Sequence, residues 1–141
     1  MNEDQSHLNS LAIAHYVVGG VSMLFACIPL VHTFIGLAVI TDIGGMQEAM
    51  ANSPDGAPPD WFGWMFFLVG LGFFLLGQAV SICLILSGRF LKQRRRYLFS
   101  FVLACIACTF FPFGTVLGVF TIIVLSRDSV KALYAQGASL P

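Results

Sequence analysis

The segment Phe99–Leu125, FSFVLACIACTFFPFGTVLGVFTIIVL, decides how this chain folds. As one straight helix, the stretch 97–125 would be roughly 43 Å long, whereas the hydrocarbon core of a bilayer is about 30 Å thick. Pro112 near its middle removes a helical hydrogen bond and clashes with the preceding turn, and Gly114 adds backbone freedom beside it. The sequence therefore predicts a kink or a tight turn at Pro112–Thr115.

Basic residues flank this segment on both sides and favour a turn over a kink. Lys and Arg next to membrane spans prefer the cytoplasmic side. A single crossing would place the two basic groups on opposite sides, whereas a helical hairpin keeps both inside, so we expect a hairpin. Its second arm is short and is expected to continue to residue 134, with long basic side chains reaching the headgroups. The first group is Arg89, Lys92, Arg94, Arg95 and Arg96, and the second is Arg127 and Lys131.

The composition is that of a membrane protein. The 141 residues are 57% hydrophobic and 10% charged, whereas about 25% of the residues of a typical soluble domain are charged. The long apolar segments predict an all-α integral membrane protein with one domain, for which we expect no cofactor and no nucleic-acid partner. We expect the basic loop and the C-terminus at Pro141 in the cytoplasm. The loop expected outside contains only acidic charges, at Asp42, Glu48, Asp55 and Asp60.

A compact bundle of four transmembrane helices is expected, with the hairpin as its last two. The first apolar segment contains Pro29, so an alternative with five spans and a second hairpin at Pro29 stays open. In the outer loop, Met46–Ala51 is expected to form one helical turn, and Asp60 to cap the next helix. The expected spans are about 11–40, 61–87, 95–111 and 115–134, with the outer loop at 41–60 and the basic inner loop at 88–96.

Small residues recur at helical spacing and predict close helix packing, because helices in lipid associate through small side chains. Their faces are expected to meet either within the chain or at a seam between copies. The predicted packing residues are Gly63, Gly70 and Gly77, seven apart on the second span, and Gly114 and Gly118 at the start of the fourth.

Polar groups inside the apolar segments are few. Gln78 is the most polar, and its amide is expected to find an interhelical partner such as Thr33, His32 or Tyr16, with a ligand contact as the alternative. His15 and His32 are too far apart on a straight helix to share a metal ion. Metal or haem binding is therefore not expected.

Two features suggest specific chemistry. Cys105 and Cys108 form a C-x-x-C pair, but a reactive thiolate needs a nearby cation or another group that lowers its pKa, and their neighbours are apolar. We therefore interpret the cysteines as packing residues. The basic cluster Arg89–Arg96 is expected to attract anionic lipid headgroups, at about 1 kcal/mol per residue near the surface, or to act only as a determinant of topology.

The C-terminal part of the chain resembles a known group of proteins. The basic loop, an apolar helix and then PFGTVLGVFTIIVL at 112–125 are similar to short, uncharacterised bacterial inner-membrane proteins that share a P-x-G-T-x-L-G-x-x-T-x-x-V-L element. HYVVGG at 15–20 and IPL at 28–30 resemble the first segment of the same group. The resemblance implies a bacterial inner-membrane protein with several spans, and it implies no activity.

These observations lead to three functional hypotheses. The first is a non-enzymatic membrane module that packs beside a larger complex or associates with itself. The second is a small oligomeric transporter or channel, with Gln78, Thr33 and the break at 112–114 lining a path. The third is a quinone-linked thiol oxidoreductase that uses Cys105 and Cys108.

Overall fold

The computed structural model describes residues 3–54, 56, 58–59, 61–110 and 112–138, and all side chains among them except those of residues 4 and 136–138. Two acidic loop residues, Asp55 and Asp60, lie outside these ranges, so the predicted cap at Asp60 does too. The C-terminal Pro141 also lies outside them.

Seven helices make up the described chain, in which no strand occurs. The all-α class is therefore confirmed. The helices are α1 (Glu3–Phe25), α2 (Leu30–Ile40), α3 (Met46–Ala51), α4 (Trp61–Gln93), α5 (Tyr97–Ala107), α6 (Phe113–Leu125) and α7 (Asp128–Ala138).

Two helical segments are long and apolar enough to cross a membrane, Gln5–Ile40 with 36 residues and Trp61–Gln93 with 33. A third exists if α6 and the first part of α7, bent by 75° at their junction, count as one broken span. These segments agree with a membrane location. They do not confirm a bundle of four spans.

The chain divides into two compact units. The first unit comprises Met1–Ser22 and Val80–Pro141, and the second comprises Met23–Ala79. Each unit is described separately below.

In the second unit, the helix breaks ahead of Pro29 without reversing. The N–H groups of Cys27 and Ile28 donate to carbonyls three residues back, at 3.1 and 3.0 Å, which is the bonding of a tight 3₁₀ turn. Pro29 itself has helical dihedral angles, φ −61° and ψ −15°, and precedes α2 directly. The stretch 26–29 is thus a turn inside one candidate span, and the alternative with a hairpin at Pro29 is not observed.

The first unit contains the hairpin of α5 and α6. The two helices run antiparallel, because Gly118 lies against the carbonyl of Ala104, while the Tyr97 hydroxyl donates to the carbonyl of Leu125 over 3.0 Å. The described turn residues are 108–110 and 112, whereas the turn was predicted at 112–115, and α6 already begins at Phe113. The reason is that proline lacks an N–H and is best placed at the start of a helix, where that group has no partner anyway.

The hairpin arms are shorter than the predicted spans. With 11 and 13 residues, α5 and α6 are about 16 and 20 Å long, less than a hydrocarbon core of about 30 Å. The predicted last span, 115–134, is not one straight helix, because the chain bends by 75° at 126–127. Beyond the bend, α7 buries Val130 and Tyr134 and exposes Asp128 and Lys131, which pair at 2.9 Å.

Helix α4 is longer than predicted, so most of the predicted basic loop 88–96 is helical. Only 94–96 lie outside a helix, and both Arg94 and Arg96 there have positive φ, at 52° and 54°. Gly88, at the predicted end of the helix, packs instead inside it. A Cβ at Gly88 would lie 3.0 Å from the Ala12 carbonyl oxygen, so a glycine permits this close approach of α1 and α4.

Two apolar clusters form the core of the first unit. We call them the first and the second apolar cluster. The first consists of Leu8, Leu11, Ala12, Leu91, Val124, Leu125, Val130 and Tyr134, and the second of Leu84, Leu103, Ala107 and Leu117.

Candidate functional site

Besides Ser81, four polar side chains of the described first unit are fully buried, at sequence positions next to residues of the two apolar clusters. They come from four different helices, and we call them the polar layer. Each occupies a position between residues that pack into the two clusters: Ser87 lies between Leu84 and Leu91, and Thr121 between Leu117 and Val124. The polar layer consists of His15 on α1, Ser87 on α4, Ser100 on α5 and Thr121 on α6.

Two members of the polar layer bond to their own helix. The Nδ1 atom of His15 lies 3.0 Å from the carbonyl oxygen of Leu11, and because a carbonyl can only accept, the proton is on Nδ1. In the neutral ring, Nε2 then carries a lone pair. The hydroxyl of Thr121 donates to the carbonyl of Leu117 over 2.6 Å, as buried threonines in helices commonly do.

Three atoms of the polar layer have no hydrogen-bond partner within the described part of the chain. They are Nε2 of His15 and the hydroxyl oxygens of Ser87 and Ser100. A buried polar atom without a partner costs about 1–3 kcal/mol. One acceptor and two hydroxyls, on three helices, are thus each able to bond to a buried water or to a small ligand.

The sequence analysis did not predict this layer. His15 was considered only as a metal ligand, and Ser100 was not singled out as a buried polar group. The available signal was that each of these four helices carries a few polar residues among apolar ones. Which of these residues share a level depends on how the helices are aligned, and that is a property of the tertiary structure. No group of three or more His, Cys, Asp or Glu side chains within the described ranges could hold a metal ion.

In the second unit, Gln78 makes an interhelical hydrogen bond. Its Nε2 donates to the carbonyl oxygen of Met23 over 3.2 Å and lies 3.6 Å from the sulfur of Cys27. The suggested partners Thr33 and His32 are engaged elsewhere: the Thr33 hydroxyl donates to the carbonyl of Pro29 over 3.4 Å, and the exposed His32 ring stacks on Phe66. The structure therefore does not bring Gln78, His32 and Thr33 together as one polar contact.

The glycines singled out from the sequence lie where helices approach closely. In the second unit, a Cβ at Gly70 would be 2.6 Å from the Thr33 backbone nitrogen, and one at Gly77 would be 2.7 Å from the Ala26 Cβ. Gly63 faces Val39 and Ile40. In the first unit, Gly114 and Gly118 lie against Ala107 and Ala104 of α5 and against Cys108, which follows that helix.

The basic cluster lies at the end of α4 and in the short linker behind it. Four of its members are exposed and Arg94 is half-buried. The Arg96 guanidinium lies over the Phe90 ring, 5.7 Å from its centroid. Exposed cations grouped in this way can attract anionic headgroups. The exposed members are Arg89, Lys92, Arg95 and Arg96.

The C-x-x-C pair ends the first arm of the hairpin. Cys105 is exposed and Cys108 is half-buried, with its sulfur against Gly118. Both are free thiols. The next residues turn back into α6, and the Thr115 hydroxyl donates to the Cys108 carbonyl over 2.9 Å.

Known proteins offer no template for this arrangement. Models of known protein families, curated proteins and solved structures were compared with the chain, and none of them matches it.

Proposed function

We propose that this protein is a non-enzymatic module of the bacterial inner membrane, a small helical bundle that packs beside a larger membrane complex. The two candidate spans support the location. The resemblance of the 112–125 element to bacterial inner-membrane proteins supports the source. In this arrangement the loop between the two spans is outside, and the basic cluster and the C-terminus are cytoplasmic, as the preference of Lys and Arg for that side requires.

The hairpin of α5 and α6 enters the membrane from the cytoplasmic side and returns to the same side, so it does not cross the membrane. Its arms of about 16 and 20 Å reach past the middle of a core about 30 Å thick. Basic residues stand at both of its ends, Arg96 before α5 and Arg127 after α6. Helix α7 then lies along the interface, where the exposed Asp128 and Lys131 meet water.

The hydrogen bonds of the hairpin turn support this placement. A turn inside lipid must satisfy its own backbone groups, because no water is present there. The N–H groups of Thr109 and Phe110 donate to carbonyls of α5 at 3.0 and 2.9 Å, and the N–H of Thr115 donates to the Phe110 carbonyl at 3.1 Å. The Thr109 hydroxyl adds a bond of 2.7 Å to the Ile106 carbonyl.

Cysteine labelling in intact cells tests the topology, in a background where the four native cysteines are alanine. Asn52→Cys should react with an impermeant thiol reagent from outside. Arg95→Cys, Thr109→Cys and Ser139→Cys should react only after permeabilisation or not at all. Labelling of Thr109→Cys from outside would mean that the hairpin crosses the membrane, and labelling of Ser139→Cys from outside would contradict the cytoplasmic C-terminus.

The single observation that favours an accessory role over self-association is that the glycine faces are occupied within the chain. Gly70 and Gly118 both lie against backbone atoms of their own unit. Large apolar side chains remain exposed on the other faces, including Leu24, Leu76 and Phe113. These faces are available to lipid or to a partner's helices.

Purification of the tagged native protein in mild detergent, followed by mass spectrometry, tests the role. A defined membrane complex should co-purify in constant proportion. Gly72→Leu is a control variant whose fold should be intact, because nothing lies within 4 Å of a Cβ atom added at Gly72. A homo-oligomer of fixed size without other proteins would contradict the accessory role.

A small transporter or channel is the second candidate, and the polar layer is the observation that favours it. Polar and ionisable side chains inside a membrane are costly and usually functional. His15 is one such residue on a candidate span. For a transporter, we expect substitutions in the polar layer to abolish transport of a small polar solute into proteoliposomes while the fold is retained.

A further inference from the structure

His32 carries an exposed imidazole ring on the surface of the second unit. The ring stacks on Phe66 of α4, with the two ring centroids 5.7 Å apart. Within the described part of the chain, His32 makes no hydrogen bond. A neutral imidazole has one N–H donor and one acceptor nitrogen. Both nitrogens of His32 are therefore available to a partner.

The contacts of α2 with α4 place His32 at the depth of the hydrocarbon core. A Cβ at Gly70 would lie 2.6 Å from the backbone nitrogen of Thr33, the residue after His32. From Trp61 to Gly70, α4 rises about 13 Å, and half of the hydrocarbon core is about 15 Å thick. Trp61 is exposed, and tryptophan is enriched at the membrane interface. In the proposed membrane location, His32 is therefore close to the middle of the core.

The surface around His32 is otherwise apolar. Ile35, one turn further along α2, is exposed. On α4, Phe62 packs against Phe66 with ring centroids 4.8 Å apart, and Phe73 lies two turns after Phe66 on the same face of the helix and is 63% exposed. We call this set of residues the His32 surface: His32, Ile35, Phe62, Phe66 and Phe73.

Lipid cannot satisfy the imidazole of His32. Acyl chains offer no hydrogen bond, and a polar group without a hydrogen bond in an apolar environment costs free energy. Ionisable side chains inside membrane spans almost always face protein groups or a water-filled cavity, and they pair there. The described residues supply no such group to His32, so its partner is expected to come from another molecule.

We propose that the His32 surface docks a transmembrane helix of the larger complex, and that this helix carries a serine, threonine, asparagine or glutamine at the depth of His32. The inference rests on the proposed accessory function and assigns its docking face. Neutral polar side chains hydrogen-bond across helices in membranes, whereas a charged side chain at this depth is costly.

A second copy of the chain is a poorer occupant of this surface. A dimer with its two-fold axis along the membrane normal pairs the same surface of both copies, so groups of equal depth meet. Apart from His32, the His32 surface is apolar. A second copy would therefore give the ring a partner only if the two His32 rings met on the axis.

Photo-crosslinking in intact cells tests the docking face. A benzophenone amino acid replaces Phe73 in the His32 surface or, as the matched control, Leu75, which is similarly exposed but points to the opposite side of α4. The probe at position 73 should crosslink to a transmembrane helix of one other protein, with a neutral polar residue at the crosslinked depth. Equal crosslinking at both positions, or a crosslink between two copies of this chain, would overturn the proposal.

Variants of His32 test the hydrogen bond. The crosslink yield from position 73, measured at intervals after dilution of the complex in mild detergent, gives the dissociation rate. His32→Leu should raise this rate about fivefold, the effect of losing one interhelical hydrogen bond. His32→Gln keeps a donor and an acceptor and should raise the rate less than about twofold. Equal rates for the wild type and His32→Leu would mean that the ring needs no partner, and would overturn the proposal.

Resistance to carbonate extraction from membranes separates this proposal from the function on which it rests. If the wild type is extracted, the proposed membrane module fails. An inserted protein that gives no crosslink to another protein at position 73 contradicts only the docking face.

Discussion

Gln78 donates a hydrogen bond from Nε2 to the carbonyl oxygen of Met23, 3.2 Å away, at the point where the first helix breaks. In a regular α-helix that carbonyl would accept from the N–H of Cys27. Because the turn before Pro29 is tight, the Cys27 N–H bonds to Leu24 instead, and the Met23 carbonyl is available. An amide from α4 thus compensates for the break, with the Cys27 thiol as a weaker second donor at 3.4 Å.

Replacing Gln78 by Leu should destabilise the protein by about 1 kcal/mol, the usual size of an interhelical hydrogen bond in a membrane protein. The change keeps the volume and removes the donor. Unfolding in a titration with denaturing detergent measures the effect. Gln93→Leu, at the exposed end of α4, is the control and should change stability little. Equal stability of the wild type and the Gln78→Leu protein would mean that the Met23 carbonyl needs no partner from α4.

Tyr97 has the corresponding role at the bend between α6 and α7. Its hydroxyl donates to the carbonyl of Leu125, the last residue of α6, over 3.0 Å. Tyr97→Phe should therefore cost about 1 kcal/mol in the same unfolding measurement. Tyr134 packs against Tyr97 edge to face, and its hydroxyl has no partner among the described residues. Tyr134→Phe should accordingly cost nothing, and a larger loss for Tyr134→Phe than for Tyr97→Phe would contradict this assignment.

Gly70→Leu should destabilise the helix pair of α2 and α4 by about 1–3 kcal/mol through overpacking. A Cβ at this position would already lie 2.6 Å from a backbone nitrogen, which cannot move away as a side-chain end can. Gly72→Leu is the matched control on the same helix, where nothing lies within 4 Å. The melting temperature of the purified variants in detergent checks both. A normal melting temperature for Gly70→Leu would show that α2 and α4 are not in contact at this position.

Ser100→Ala tests the polar layer. If the buried hydroxyl has no partner, its removal relieves a desolvation cost and should raise the stability by about 1 kcal/mol. Unfolding in a titration with denaturing detergent measures the change in stability, and Ser6→Ala at an exposed position is the control. A loss of stability would mean instead that the hydroxyl is hydrogen-bonded in the folded protein, as in a hydrated or ligand-binding layer, and would favour the transporter candidate.

The double variant Cys105→Ala/Cys108→Ala tests the thiol oxidoreductase hypothesis. We expect it to lose only packing, about 1 kcal/mol per site, and to support the biological role of the protein fully. The measurement is complementation of a strain that lacks the gene, with protein accumulation followed in parallel. A variant that accumulates normally but reproduces the deletion phenotype would contradict a structural role for these cysteines, as would a mixed disulfide trapped at either position.

The sequence by itself determined the class and the breaks. Long apolar segments predict membrane helices because the bilayer leaves a chain few other ways to satisfy its backbone. The breaks near Pro29 and Pro112 were predictable because a proline lacks the N–H that helical bonding needs. The single turn at Met46–Ala51 was also predicted, and the structure confirms it. All of these depend on covalent or local properties, which a sequence contains in full.

Only the tertiary structure decided where helices continue, bend and align. Gly88 looks like a helix end in the sequence, yet it stays helical because α1 packs on it at Ala12. The chain bends after Leu125 because Val130 and Tyr134 are buried in the first apolar cluster, and no local signal outweighs that burial. The residues of the polar layer are buried because their four helices pack against other helices, and such burial depends on contacts between helices rather than on any one segment.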